Sequence, residues 1–578
     1  MVPETSVPGF WFAAVRSKLR AMKLERIVFC LLTMAAIAWG QTYQNRWVYI
    51  SRNLQRDTDV EDFRRVAETA AAHGLNGILF AGAFDSMEKH PEAYFRRLTE
   101  VKATAAKLKL EIIPLFNSPG YAGGILSFNR NLAEGLPVHT VYIAGKQEAR
   151  LAPDAAVTMV NGGFEEATAN KVNGYQLSES PGVISFSDRE VHHSGAASLR
   201  IENFKANQHG HGRVMQEVAV KPNRTYRVTV WAKTEALEPV AGFQIQVLTA
   251  SGRALAPMRP KIDATMDWRK MTLGFNSGAF TKVRIYAGMW GGRGGKLWLD
   301  DFAIEEVGLV NVLRREGTPV RVTSEAGDVV YIEGRDYAPI ADARLNFQLD
   351  HDGPPIRILE GSRITEGSRL QVHYYHGLAI NNGQVTACMS EPEVMQIVRR
   401  NIALIEKHLA PKQWMMSIDE IRAGGSCEAC KRRKMTMGQI LGDYVTQSFE
   451  AIREVNPKAA VWAWSDMLDP NHNAHGDYYL VEGDYSGSWE HVPKDLGIVT
   501  WYFEKRAASL PFFSKLGFRT LAGAYYDADT LENPKAWMEA LSKTPGASGI
   551  MYTTWQNKYE LLGGFGDLLL GGAGKPAN

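Results

Sequence analysis

Eight short apolar runs, at residues 47–51, 76–80, 111–116, 414–418, 460–464, 498–503, 520–526 and 550–554, constrain this 578-residue chain more than any other feature. Each has strand length and ends in polar or aromatic residues. Segments of helical period separate the first three. Residues 57–73 bring Val60, Phe63, Val66, Ala67 and Ala70 to one face, with Asp57 or Thr58 as cap and Gly74 as stop. Residues 91–108 form the next helix. Strand and helix alternating at about thirty-residue spacing mean βα units around a parallel sheet. Eight such strands are the complement of a (β/α)8 TIM barrel, so the fold class is α/β.

The alternation breaks in the middle of the chain. Clean period-two runs follow, among them Tyr226-Arg-Val-Thr-Val-Trp-Ala232, Phe243-Gln-Ile-Gln-Val-Leu248 and Leu297-Trp-Leu-Asp-Asp-Phe302. Short alternating strands between turn residues predict an inserted all-β sandwich over residues 158–307. Its ends, Asn161-Gly-Gly-Phe164 and Leu297-Trp-Leu-Asp-Asp-Phe302, resemble those of jelly-roll carbohydrate-binding modules. Trp268, Tyr286 and Trp290 have two readings there, as a sugar platform or as core aromatics. Residues 308–385 read as a smaller β-rich insert, with Tyr374, Tyr375 and His376 at the end of one strand. The barrel is thus divided into residues 41–157 and 386–570.

The run Gln413-Trp-Met-Met-Ser-Ile leads into Asp419-Glu420, then Arg422 and a Gly-Gly loop. Two adjacent carboxylates cannot sit unpaired inside a buried strand. They belong at its C-terminal end, which in an α/β barrel is the face that carries catalytic residues. The plainer reading of an Asp-Glu pair is a solvated helix start. Paired carboxylates at a strand end suit acid–base chemistry on a neutral polar substrate such as a sugar.

Bulk properties narrow the class. Hydrophobic residues at 45% and charged residues at 22% describe a globular chain, with length for roughly three or four domains. The net charge of +2 gives no field that would argue for nucleic acid. Met22-Lys-Leu-Glu-Arg26 followed by the apolar residues 27–38 reads as a signal peptide, with Ala38-Trp-Gly40 placing cleavage before Gln41. Residues 1–40 are then a targeting segment whose first 21 residues are an over-extended start. The expectation is a periplasmic or secreted protein with no membrane contact after cleavage. Cys427 and Cys430 read as a local disulfide in such a compartment. Zinc would need a second pair of ligands at suitable spacing, and no metal or other cofactor is expected.

Taken together, the strand ends over residues 46–124 and 386–560 resemble glycoside hydrolase family 20, the β-N-acetylhexosaminidases. Tyr49-Ile-Ser-Arg52 is similar to that family's first-strand arginine, which binds sugar hydroxyls. Ser118-Pro-Gly-Tyr121 has tyrosine where the family turn has histidine. Met415-Met-Ser-Ile-Asp-Glu420 keeps the acidic pair but not the preceding histidine and glycine. Trp464-Ser-Asp466 resembles the fifth-strand tryptophan and acid, Tyr525 or Tyr526 the seventh-strand tyrosine. Trp555-Gln-Asn557 has an amide where the family has an acid.

The resemblance implies an oligosaccharide or glycan substrate with terminal β-linked N-acetylhexosamine. It makes Glu420 the general acid and base, and Asp419 the group that orients a substrate acetamido nucleophile. Arg52, Asp85, Tyr121, Trp464, Asp466, Tyr525, Tyr526 and Trp555 form the implied substrate-binding set. Arg52 reads equally as a structural ion-pair partner. Two other readings stand beside this one. The first is a conventional retaining glycosidase with Glu504 as nucleophile. The second is a catalytically inactive glycan-binding barrel.

Overall fold

The computed structural model describes residues 43–571; the expected signal segment lies outside the described residues. β1 (Asn45–Ser51), β2 (Gly77–Ala81), β3 (Glu111–Phe116), β4 (Gln413–Met416), β5 (Ala460–Trp464), β6 (Gly497–Thr500), β7 (Arg519–Tyr525) and β8 (Ala547–Thr553) form one closed barrel in chain order. All neighbouring pairs are parallel, and β8 closes on β1 with Met551 opposite Trp47.

The barrel interior is filled by side chains. Trp47, Leu79, Ile113, Met415, Trp462, Val499, Leu521 and Met551 make one buried cluster along the axis. Trp47 and Trp462 meet edge to face with ring centroids 5.4 Å apart. Gly497 is required here, because a Cβ at that position would lie 2.2 Å from the Trp462 ring. With the interior packed, a substrate can enter only at an end.

The outward side chains of the strands, such as Val48, Ile50, Ile78 and Phe80, pack on the surrounding helices. Asp57–Ala72 buries Val60, Phe63, Val66, Ala67 and Ala70, the face its sequence period marked. Glu92–Lys107, Pro392–Leu409, Met437–Val455, Arg506–Lys515, Glu532–Ser542 and Leu562–Leu569 follow. The expectation of eight strand–helix units needs one correction. Between β5 and β6 the chain forms short 3-10 turns, Asp466–Leu468 and Ser488–Glu490, and no α-helix. Its sequence explains this: Asp469-Pro-Asn-His-Asn473 is a string of turn formers with no apolar period.

The insertion after β3 has two parts. One is a sandwich of two five-stranded antiparallel sheets. Thr225–Glu238 and Gly294–Val307 lie at the centre of one, Phe243–Thr249 and Lys282–Met289 in the other. Val228, Val230, Ile245, Val247, Ile285 and Leu299 fill the space between them. The other part is a six-stranded sheet that draws on both sides of the sandwich. Arg369–His376 pairs antiparallel with Leu136–Ala144, placing His139 opposite His373.

Residues 136–151 therefore belong to this sheet and not to the first barrel segment, where their position in sequence had put them. The pairing joins residues more than two hundred apart and leaves no local signature. Tyr374 and His376, at the end of that strand, are buried within the insert. The Tyr374 hydroxyl accepts the Leu309 N–H at 2.8 Å, and His376 Nε2 lies 3.1 Å from Asn276 Nδ2. Among the described residues no helix is long and apolar enough to cross a membrane.

Candidate active site

A cavity of about 1080 Å³ opens at the C-terminal ends of the barrel strands, and both Asp419 and Glu420 line it. The apolar run of β4 ends at Met416, so the acidic pair stands beyond the strand, where solvent and ligand can reach it. The loop after β3 presses on it from one side. A Cβ at Gly120 would lie 2.2 Å from the Asp419 carbonyl oxygen, so only glycine permits this approach.

Glu420 is held from several directions. Its backbone adopts a left-handed conformation with φ +48°. For a residue with a Cβ that conformation costs about 1–3 kcal/mol and persists only where neighbours impose it. The Glu420 N–H donates to Asp466 Oδ2 at 2.8 Å, and Gln384 Nε2 donates to its carbonyl at 2.7 Å. Its carboxylate forms an ion pair with Arg422 at 2.8 Å and accepts the Tyr121 hydroxyl proton.

Asp419 accepts the Ser417 hydroxyl at 2.7 Å. Burial, with the Glu420 charge adding to it, pushes the Asp419 carboxyl up to about 6. Asp466 is fully buried. Burial and the neighbouring Asp419 charge push it up to about 8, against the stabilising N–H of Glu420. Asp419 and Asp466 thus both hold their protons above the ordinary aspartate range, next to the Glu420–Arg422 pair.

Aromatic rings wall the cavity. Trp464 ends β5 and is buried, and its ring centroid lies 6.1 Å from that of the half-exposed Trp555. Tyr526 stands parallel to Trp501 at 6.2 Å, their planes 7° apart, and edge-on to Trp555 at 6.2 Å. Three consecutive residues, Tyr525, Tyr526 and Asp527, have φ of +80°, +57° and +60°. This strained turn brings Tyr526 and Asp527 to the cavity wall. The Asp527 carboxylate in turn accepts the Trp555 N–H at 2.9 Å, tying the ends of β7 and β8 together. The Trp501 indole N–H is buried without a protein acceptor. Arg259 from the sandwich and Asn382 from the return segment rim the mouth.

Of the residues singled out from sequence, Asp419, Glu420, Asp85, Tyr121, Trp464, Tyr526 and Trp555 line the cavity. Asp85 accepts the Asn117 and Ser118 N–H groups at 2.5 and 3.0 Å, fixing the loop after β3, and burial raises its pKa. Three others do not reach the cavity. Arg52 turns to Asp62 at 3.3 Å and Asn557 at 2.5 Å, the structural ion-pair role. Asp466 anchors the Glu420 backbone from behind. Tyr525 is buried against Tyr552, with ring centroids 4.0 Å apart.

Glu504, the alternative nucleophile, is exposed on a 3-10 turn and is not among the residues lining the cavity. Trp268, Tyr286 and Trp290 are half-buried and lie outside the sandwich core. The three cysteines beyond the signal segment carry free thiols, so the expected Cys427–Cys430 disulfide is absent from the structure. Sequence reasoning missed Trp501, Ser417, Arg422, Asp527 and Gln384 as site residues. Position at a strand end marks Trp501 and Asp527; nothing local marks Gln384.

A search of curated proteins returns no match. Several solved structures are similar to parts of the chain. The CBM22-1 xylan-binding domain of Paenibacillus barcinonensis Xyn10C is 16% identical, with 27% of this chain and 96% of that chain covered and a TM-score of 0.19. TmCBM61, solved with β-1,4-galactotriose, is 18% identical, covering 25% of this chain and 94% of that chain at a TM-score of 0.19. The Flavobacterium johnsoniae chitobiase FjGH20 is 8% identical, with 89% of this chain covered and a TM-score of 0.34, and the match spans 44% of that chain. The family model described as a carbohydrate binding domain matches residues 157–292, the greater part of the sandwich.

Proposed function

We propose that this protein is an exported glycoside hydrolase that removes terminal β-linked N-acetylhexosamine from glycans. One observation carries the reading: Asp419 and Glu420 together line an aromatic-walled cavity of about 1080 Å³ at the strand-end mouth of a closed parallel barrel. Sugar rings present apolar faces to tryptophan and tyrosine and hydroxyls to polar groups between them. The sandwich, through its carbohydrate binding domain match and through Arg259 at the rim, supports a polymeric substrate held beside the mouth. The signal-like N-terminal sequence supports export.

In this mechanism Asp419 accepts a hydrogen bond from the acetamido N–H of the substrate. The acetamido oxygen then attacks the anomeric carbon while Glu420 gives a proton to the departing glycosidic oxygen. Glu420, now a carboxylate, takes a proton from the water that opens the cyclic intermediate, and the anomeric configuration is retained. Tyr121 and Arg422 contact the Glu420 carboxylate directly and are positioned to govern its proton. Trp464, Trp501, Tyr526 and Trp555 wall the sugar. The exposed position of Glu504 favours this route over one with Glu504 as nucleophile.

Paired aryl β-glycosides with and without a 2-acetamido group test the reading, assayed beside Glu420→Gln and Asp419→Asn. Turnover of the acetamido sugars alone, lost in both variants, is the expected result. Turnover of plain hexosides would replace substrate assistance with a protein nucleophile. Inert aryl glycosides and inert natural oligosaccharides would leave a glycan-binding protein.

A further inference from the structure

Glu134, Cys388, Cys427 and Cys430 converge on one point away from the candidate active site. Each offers one donor atom, the four atoms lie within 4.8 Å of one another, and all four residues are buried. Cys388 Sγ stands 3.5 Å from Cys427 Sγ and 3.7 Å from Cys430 Sγ, and Cys430 Sγ stands 3.6 Å from Glu134 Oε2. Two sulfurs joined in a disulfide would be about 2.05 Å apart. Tetrahedral zinc, with Zn–S of about 2.3 Å and Zn–O of about 2.0 Å, sets S···S at roughly 3.8 Å and S···O at roughly 3.5 Å. The observed spacings are those of the second arrangement.

The Glu134 carboxylate makes the same point. It is buried, yet its contacts, from Cys427 N–H, the Ser426 hydroxyl and Cys430 Sγ, are all 3.3 Å or longer. Buried carboxylates are normally closely hydrogen-bonded or bound to a cation. We propose that these four residues bind one Zn²⁺ in a closed structural site. Three thiolates favour a soft or borderline ion, and four protein ligands leave no open position for catalysis. Arg315 supplies an outer cation, with Nη2 3.7 Å from Cys427 Sγ and 3.1 Å from the Ala133 carbonyl. The second pair of ligands absent from the local Cys427–Cys430 spacing comes from distant segments, Glu134 and Cys388.

The ligands sit where such a clasp has work to do. The chain leaves the barrel for the insert at residues 132–134 and returns at 386–388. These stretches run antiparallel, with Glu134 N–H donating to Thr386 O and Cys388 N–H to Leu132 O, each at 2.8 Å. Zinc joins this stem to the loop after β4, which carries Cys427 and Cys430 five and eight residues beyond Arg422. It fixes the root of the insert to the segment that orients Glu420. The site is independent of the catalytic reading.

The test is metal analysis of the purified full chain after dialysis against metal-free buffer. About one zinc per chain is expected. Exchange for Co²⁺ should give intense tetrahedral d–d bands with thiolate charge-transfer absorption. The Glu134→Gln variant keeps three thiolates and, in competition with a chelator, should bind zinc at least roughly tenfold more weakly, the loss that removal of even an outer-shell partner produces. A metal-free protein would overturn the proposal, as would one whose mass is short of two hydrogens through a disulfide. Should Cys388→Ser fail to fold, the metal count and cobalt spectrum of the unaltered protein still decide.

Discussion

The Asp466 carboxylate accepts the backbone N–H of Glu420 at 2.8 Å from a fully buried position behind the cavity. It thereby fixes a residue whose φ of +48° is unfavourable for a side chain with a Cβ. Asp466 also accepts Asn473 Nδ2 at 2.9 Å through the same oxygen. The acid after the fifth strand therefore holds the Glu420 backbone and is not among the residues lining the cavity.

Removing that anchor should cost catalysis. A hydrogen bond to a charged or partly charged group contributes about 1.5–3 kcal/mol. Asp466→Ala should lower kcat by about 10–100-fold with KM little changed, since the sugar walls are intact. An unchanged kcat on the best acetamido substrate would remove Asp466 from the site's architecture.

The pH dependence of stability follows from the same group. Asp419, at about 6, and Asp466, at about 8, hold protons more tightly when folded than the ordinary aspartate value of about 4. A raised folded pKa gives stability that is full below the unfolded pKa and is lost as pH rises through the folded one. Unfolding free energy from urea titrations should therefore fall between about pH 4 and pH 8, with the upper part of the fall absent from Asp466→Asn. Equal slopes in the two proteins would contradict this assignment.

The aromatic walls divide by burial. Trp464 is 2% exposed and joins the barrel interior, whereas Trp555 is 44% exposed. Trp464→Ala should destabilise the fold by about 3–5 kcal/mol. Trp555→Ala should leave the melting curve within about 0.5 kcal/mol of the parent. It should raise KM about tenfold, equivalent to about 1.4 kcal/mol of lost contact. Thermal melts and steady-state kinetics on both variants separate these outcomes. A large stability loss in Trp555→Ala would show that its ring is structural.

The barrel was legible because each strand is a local apolar run, and Trp47, Ile113, Met415 and Trp462 announce themselves without knowledge of their partners. The acidic pair was legible because ionised groups cannot be interior to β4. What was hidden depends on pairing across distance. Leu136–Ala144 finds Arg369–His376 across the sandwich, Glu134 finds Cys388, and Gln384 reaches the Glu420 carbonyl. The choice between Tyr525 and Tyr526 was hidden for a different reason. A left-handed turn at three non-glycine residues sets which ring faces the cavity, and neither tyrosine carries a sequence signal for it.

The sandwich also touches the machinery that holds Glu420. Arg253, 14% exposed in its side chain, donates to the Tyr479 and Val481 carbonyls and pairs with Asp477 at 3.2 Å. The Tyr479 ring lies under the Arg422 guanidinium, 4.9 Å from its centre, and Arg422 pairs with Glu420. A chain of contacts thus runs from the sandwich to the acid without passing through substrate. Arg253→Ala should therefore lower kcat several-fold even on a small aryl glycoside that never reaches the sandwich. The exposed Arg269→Ala, on the other sheet of the sandwich, serves as control and should change nothing. A sandwich that only tethers polymer predicts the opposite pattern, with aryl glycoside turnover unchanged in Arg253→Ala and only polymer binding affected. Kinetics on the small substrate therefore distinguish a positioning contact from a passive linker.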